Sequence, residues 1–173
     1  MIIRQARAAD IPALVALRME LFCEVGELVT PQADPALWQA TLDYFTRAMS
    51  EESALSWLAE ADTQEGGKQI VAAGTLALFE RPPYPGNLAG MEGYLLNMYT
   101  RSQWRQQGIA TALLDAITAF ARSRQLGKVW LHASEQGRPL YERIGFVANP
   151  AYLEWDLADP VIPLLSRLKF MQM

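Results

Sequence analysis

At 173 residues, 51% hydrophobic and 20% charged, the chain has room for one domain with a substantial core and is too short for two ordinary ones. A formal net charge of −4 argues against nucleic acid as the main partner, because a phosphate backbone asks for an electropositive surface. A single Cys and a single His exclude an internal disulfide framework and disfavour a zinc site; no apolar run has the length of a membrane span, and the opening MIIRQARAAD lacks a secretory signal core, so a metal-free cytoplasmic protein is expected.

Residues 2–6 read as a short first strand. Asp10 with Pro12 close behind is a helix-start signal, and Ile11, Leu14, Val15, Leu17, Arg18, Leu21 and Phe22 keep helical spacing, which predicts a helix over 11–24. Cys23 sits in the apolar stretch MELFCEV and is expected to be buried as a small hydrophobe. Residues 26–34 are a loop, followed by a second helix over 36–50 with Leu37, Leu42, Phe45 and Met49 turned inward. A strand over 56–61, a polar turn with paired glycines and a strand over 70–80 make a hairpin. The next segment, RPPYPGNLAG at 81–90, excludes regular structure; a plain connector is the default, and Tyr84 is its one candidate for contact with a substrate.

Residues 91–100 form the central strand, with Tyr94, Leu95, Leu96, Met98 and Tyr99 as strand formers around Asn97. From Gly108 the apolar spacing becomes helical through Ile109, Leu113, Ile117 and Phe120, so a helix runs over 108–124. The segment Arg105, Gln106, Gln107, Gly108, Ile109, Ala110, Thr111 therefore lies where the first N–H groups of a helix have no intrahelical acceptor. Such a turn suits an anion: the N–H groups converge, the helix dipole adds partial positive charge, Gly108 admits a ligand close to the main chain, and Arg101 and Arg105 add side-chain charge. The Walker and dinucleotide patterns both fail here, since neither Gly-Lys-Ser/Thr nor the second and third glycines are present. A strand over 129–133 follows, then a short helix from 137 or 138 to 144 stopped by Gly145, and a last strand over 152–157. The apolar tail 160–173 packs either on the domain or on a partner in a dimer. His132, inside the predicted strand, is expected to be a core or sheet-face residue.

Arg105-x-x-Gly108-x-Ala110 after an apolar strand, followed one helix later by VWLHASEQGRPLYERIGF at 129–146, resembles two successive motifs of the GNAT superfamily of N-acetyltransferases. The resemblance implies an α+β, GNAT-like fold, a mixed central sheet flanked by helices on both faces, as a single domain over 1–173. It implies acetyl-CoA as co-substrate and transfer of its acetyl group to an amine of a small molecule or protein by direct attack in a ternary complex. Residues 105–111 would hold the pyrophosphate, and the main chain of Met98, Tyr99 and Thr100 would pair with the pantetheine amides as an added strand. Tyr141 would be the acid that protonates the departing thiolate. Ser134 stands where relatives carry an Asn, Gly137 would allow close approach of the cofactor, and Arg138 could reach a phosphate. The base is the weakest match: where a strand Glu is expected the chain has Leu96, so Glu92 is the substitute, with Asn97 able to hold a water. The helix pair after the first strand is where such enzymes build part of the acceptor pocket. A catalytically silent acyl-CoA sensor or scaffold is the alternative reading. The charge asymmetry, acidic before residue 66 and basic after 100, fits either an anionic cofactor with an amine substrate or ordinary solvated surface.

Overall fold

A computed structural model describes residues 1–63 and 66–153. They fall into two compact units, residues 1–130 and the residues from Leu131 onward. The first unit holds a five-stranded sheet of β1 (Ile2–Gln5), β2 (Ala54–Asp62), β3 (Lys68–Glu80), β4 (Met91–Thr100) and β5 (Val129–Trp130), in that spatial order. β1 to β4 pair antiparallel and β5 pairs parallel to β4, so the sheet is mixed. Three helices belong to this unit: α1 (Ile11–Glu24), α2 (Pro35–Ser50) and α3 (Ile109–Ser123). The second unit contains α4 (Arg138–Ile144).

Neighbouring residues of β3 show where the helices lie. Ala73 packs in the cluster that holds Leu14, Val15 and Leu17 of α1 and Phe45 of α2, while a Cβ on Gly74 would come within 2.9 Å of Ile117 Cδ1 on α3. Adjacent strand residues point to opposite faces, so α1 and α2 cover one face and α3 the other. The buried positions of α3, Ile109, Leu113, Leu114, Ile117 and Ala121, form one stripe at helical spacing.

The predicted element order is reproduced as far as α4, and α1 and β4 have the predicted bounds. Three local expectations are corrected. β5 ends at Trp130, and His132 lies beyond it, exposed, instead of in the core or on the sheet. Cys23 is half-buried, because it lies near the end of α1 and away from that helix's buried stripe. Asp10 does not cap α1: its carboxylate accepts from the Arg7 N–H and is held by Arg4. Asp34 does cap α2, accepting from Leu37 N–H at 2.9 Å. The expected strand over 152–157, all but its first two residues, and the tail 160–173 lie outside the described residues.

Candidate active site

The centre of the site is an irregularity in β4. Tyr99 pairs with Ala73 and Leu96 with Thr75, so Asn97 and Met98 together oppose Gly74. This is a β-bulge, with Asn97 at φ 54°, a left-handed conformation that Asn tolerates better than most residues. Gly74 leaves room opposite it: a Cβ there would sit 2.4 Å from Met98 Sδ, so the Met98 side chain would have to shift.

The extra residue reverses which main-chain groups face which neighbour. Before the bulge, Gly93 N–H donates to Lys128 carbonyl on the β5 side. After it, Arg101 N–H donates to Val71 carbonyl on the β3 side. By the antiparallel alternation Tyr99 also bonds β3, whereas Met98 and Thr100 turn their N–H and C=O groups to the opposite edge. On that edge the ladder with β5 consists only of Gly93 with Val129 and Tyr94 with Trp130. Thr100 carbonyl is reached there by Arg105 Nε at 2.8 Å. Of the three residues expected to offer main chain, Met98 and Thr100 thus turn theirs away from β3, with the Thr100 carbonyl taken by Arg105, and Tyr99 is used within the sheet.

β4 leads into a single turn of 3-10 helix, Ser102–Trp104, and then into the loop that starts α3. Gln106 (φ 59°) and Gly108 (φ 76°) both adopt the left-handed conformation, which folds the chain back so that α3 begins abruptly at Ile109. The helix has no side-chain cap. Among the described residues no acceptor outside the helix takes an N–H from Gln106 through Thr111. A Cβ on Gly108 would meet nothing within 4 Å, so the approach to these N–H groups is open. Gln107, Gly108 and Thr111 are exposed, Ala110 is half-buried and Ile109 is anchored in the core at 2% exposure. The combination of convergent donors and helix dipole attracts an anion.

The arginines are used differently from what their positions in the chain imply. Arg101 forks onto Glu20 of α1, Nε to Oε2 at 2.8 Å and Nη2 to Oε1 at 2.6 Å, and also reaches Ile70 carbonyl. Arg105 is paired with Glu24 of α1 and lies over the Tyr99 ring at 5.8 Å. With Arg18 donating to Asn97 Oδ1, these links tie α1 alongside the second half of β4. They also absorb part of the charge asymmetry of the sequence: two acids of the first half neutralise the two bases nearest the loop. Arg101 therefore adds no free charge at the loop, and Arg105 borders it in an exposed ion pair.

Glu92 lies at the other end of β4, eight residues before Thr100, about 26 Å at 3.3 Å per residue. Its carboxylate is 1% exposed and accepts from Tyr84 Oη at 2.9 Å and Arg81 Nη1 at 3.3 Å, with Lys128 Nζ 3.5 Å away. Burial pushes its pKa up, but the Tyr84 hydroxyl, Arg81 and Lys128 outweigh this and leave it below the ordinary glutamate value. A carboxylate so held is a poor proton acceptor, and β4 does not bring it to the loop. Tyr84 is accounted for by the same cluster: with Asn87, which donates to Tyr84 Oη and Met91 carbonyl, it fastens the 81–90 loop over the start of β4.

In the second unit, Ser134 Oγ accepts from Gly137 N–H at 3.0 Å and so shapes the turn into α4. Gly137 keeps this turn close, since a Cβ would stand 3.0 Å from Ser134 Oγ and 3.2 Å from Tyr141 Cε2 and push both side chains back by a few tenths of an ångström. Arg138 is exposed and 3.8 Å from Glu142, one turn on. Tyr141 packs edge-on against Phe146 with centroids 5.8 Å apart, and burial pushes its phenol up to about 12. The hydroxyl thus stays protonated throughout the neutral range, as a proton donor must. Gly145 (φ 109°) closes α4, and Phe146 N–H returns to Tyr141 carbonyl.

Among the described residues there is no cluster of three or more His, Cys, Asp or Glu able to hold a metal, and no helix long and apolar enough to cross a membrane.

The family profile described as Acetyltransferase (GNAT) family matches residues 19–146. Among solved structures, a predicted acetyltransferase from Clostridium acetobutylicum, crystallised with acetyl-CoA, is 31% identical over 90% of this chain and 96% of its own, with a TM-score of 0.78. A GCN5-related N-acetyltransferase from Ralstonia eutropha JMP134 is 26% identical over 91% of this chain and 99% of its own, with a TM-score of 0.75. No curated protein matches the chain.

Proposed function

The chain belongs to the acetyltransferase (GNAT) family, and from that premise we propose that it transfers an acetyl group from acetyl-CoA to an amine by direct attack in a ternary complex. The observation that carries this reading is the start of α3: uncapped N–H groups, a left-handed Gly108 with open space in front of it, and a preceding strand whose bulge turns the main chain of Met98 and Thr100 away from β3. These features suit the two halves of an acyl-CoA. Residues 106–111 would bind the pyrophosphate through main chain, and Met98 and Thr100 would pair with the pantetheine amides as an added strand edge. Acetyl-CoA supplies an acyl group already activated as a thioester, so the protein's part is to align it, polarise its carbonyl through main-chain N–H groups and manage protons.

Tyr141 is the proposed acid. As the acceptor nitrogen forms its bond to the carbonyl carbon and the C–S bond breaks with its electron pair on sulfur, Tyr141 gives its hydroxyl proton to that sulfur. The proton lost by the amine goes to solvent, from which Tyr141 is restored. Glu92, held in its buried cluster, is not assigned the base; an acceptor arriving as free amine needs only water to take its proton. Ser134 and Gly137 shape the approach to α4, and Arg138, exposed, is proposed as an outer phosphate contact.

The second reading, an acyl-CoA sensor without turnover, draws support from Leu96 and from Ser134, whose hydroxyl is engaged with Gly137 N–H. One experiment separates the two. Acetyl-CoA is expected to raise the melting temperature, and CoA thiol is expected to be released with at least one member of an amine panel. Tyr141→Phe should keep the thermal shift and lower kcat about 100-fold or more. Stabilisation with no thiol release from any amine supports the sensor; undiminished kcat in Tyr141→Phe removes Tyr141 from the chemistry.

A further inference from the structure

Arg18 differs from the other part-buried arginines of the first unit. Arg4 is held by Asp10 at 2.7 Å and Glu60 at 2.8 Å, and Arg101 by Glu20. Arg18 has no carboxylate within 4.0 Å among the described residues. Its guanidinium lies 4.6 Å over the Phe22 ring, and among the described residues it donates only through Nη1, to the side-chain oxygen of Asn97 at the bulge. Burial lowers its pKa; the groups near enough to oppose this are Tyr44, Glu27 and Tyr94, and Glu27 is exposed. Asn97 Nδ2 is buried with no hydrogen-bond partner. A guanidinium taken partly out of water without a counter-ion is costly, as is a buried amide left unbonded. Both costs fall at one point on β4, next in sequence to Met98.

We infer that Arg18, with Asn97, is the recognition point for a carboxylate on the acceptor, so that the substrate class is small amino acids or other amines bearing a carboxylate. This rests on the reading of the chain as an acetyltransferase and deepens it. A carboxylate matches what the site offers. Arg18 Nε and Nη2 form a planar fork suited to two oxygens, its single positive charge balances one negative charge, and the half-buried Phe22 ring against the guanidinium gives the position an apolar border. A phosphate dianion would ask for a second cation, and Arg101 and Arg105 are committed to Glu20 and Glu24. The bulge that presents Asn97 to Arg18 also turns the Met98 main chain to the edge of β4 away from β3, so an acceptor anchored by its carboxylate has its amine close to the proposed thioester position.

The test uses matched pairs that differ only in the carboxylate: phenylalanine against phenethylamine, leucine against isoamylamine and 4-aminobutyrate against propylamine. Each is titrated calorimetrically into the full chain with and without CoA, and kcat/KM is read from thiol release. The carboxylated member is expected to be favoured about 10- to 100-fold in pairs of the preferred size. Arg18→Met is expected to erase the preference, Arg18→Lys to keep part of it, and Asn97→Asp to erase it by giving Arg18 a carboxylate from within the chain. All three should leave the acetyl-CoA thermal shift in place. Should Arg18→Met fail to fold, Arg18→Lys and Asn97→Asp carry the comparison. Absence of a preference in every pair, whether both members bind alike or neither binds, overturns the inference. A missing acetyl-CoA shift in the wild-type chain refutes the acetyltransferase reading instead, and the titrations without CoA still read Arg18.

Discussion

Gly108 offers the cleanest perturbation of the proposed pyrophosphate site, because charge can be separated there from shape. A side chain at this position has open space, with nothing within 4 Å of its Cβ, but must accept φ 76°. Asp and Asn tolerate that conformation about equally, each at about 1 kcal/mol of stability, so a comparison of Gly108→Asp with Gly108→Asn cancels the backbone term. What remains is one carboxylate beside the bound diphosphate. At about 5 Å and an effective dielectric of about 20 the repulsion is about 3 kcal/mol, and at the dielectric of water it is below about 1 kcal/mol. The loop is exposed, so the expected loss lies between these limits: acetyl-CoA should bind Gly108→Asp about 10- to 200-fold more weakly than Gly108→Asn by calorimetry. Raising the ionic strength from about 0.05 to 0.5 M should shrink the ratio, since the screening length falls below the separation of all but the nearest charges. Equal affinities within about twofold at low salt would refute the argument that the diphosphate lies against this turn.

Two further outcomes concern the framework. Glu92→Ala removes the shared acceptor of Tyr84, Arg81 and Lys128; because Arg81 and Lys128 can turn to solvent, a loss of about 1–3 kcal/mol in denaturant melts is expected, while Glu92→Gln, which keeps an acceptor, should lose less and retain acetyl-CoA binding. Asp10 is held by the Arg4 hydrogen bond and has its pKa lowered from 3.8 to about 2. Its contribution is therefore complete above pH 3.8 and disappears as the pH falls through 2. After allowance for solvent screening it is about 1 kcal/mol, and the stability of Asp10→Asn should differ from wild type by that amount at pH 6 and converge with it near pH 2.

The sequence was most legible where periodicity speaks for a whole element. The 91–100 strand and the switch to helical spacing at Gly108 located β4, the loop and α3 to within a residue, and the two motifs carried the family. What stayed hidden was tertiary. Arg101 and Arg105 look like free cations beside a phosphate loop until the fold brings Glu20 and Glu24, 81 residues earlier, onto them. Glu92 reads as a solvated strand-end carboxylate or a base, and only the 81–90 loop folding over it makes it a buried anchor. The bulge had one faint signal, an Asn among strong strand formers, because a one-residue insertion leaves the composition of a strand unchanged. Arg18 read simply as a member of a helical face, since nothing local reveals that an arginine lacks a carboxylate.

The central claim is that main-chain N–H groups at the start of α3 hold the diphosphate of acetyl-CoA. Amide-resolved NMR tests it most directly: on titration with acetyl-CoA, the N–H resonances of residues 106–111 should show the largest downfield shifts in the first unit, and adenosine 5′-diphosphate, which keeps the diphosphate but lacks the pantetheine arm, should reproduce them without moving Met98 and Thr100. Saturation by acetyl-CoA with the amides of residues 106–111 unmoved would contradict the account.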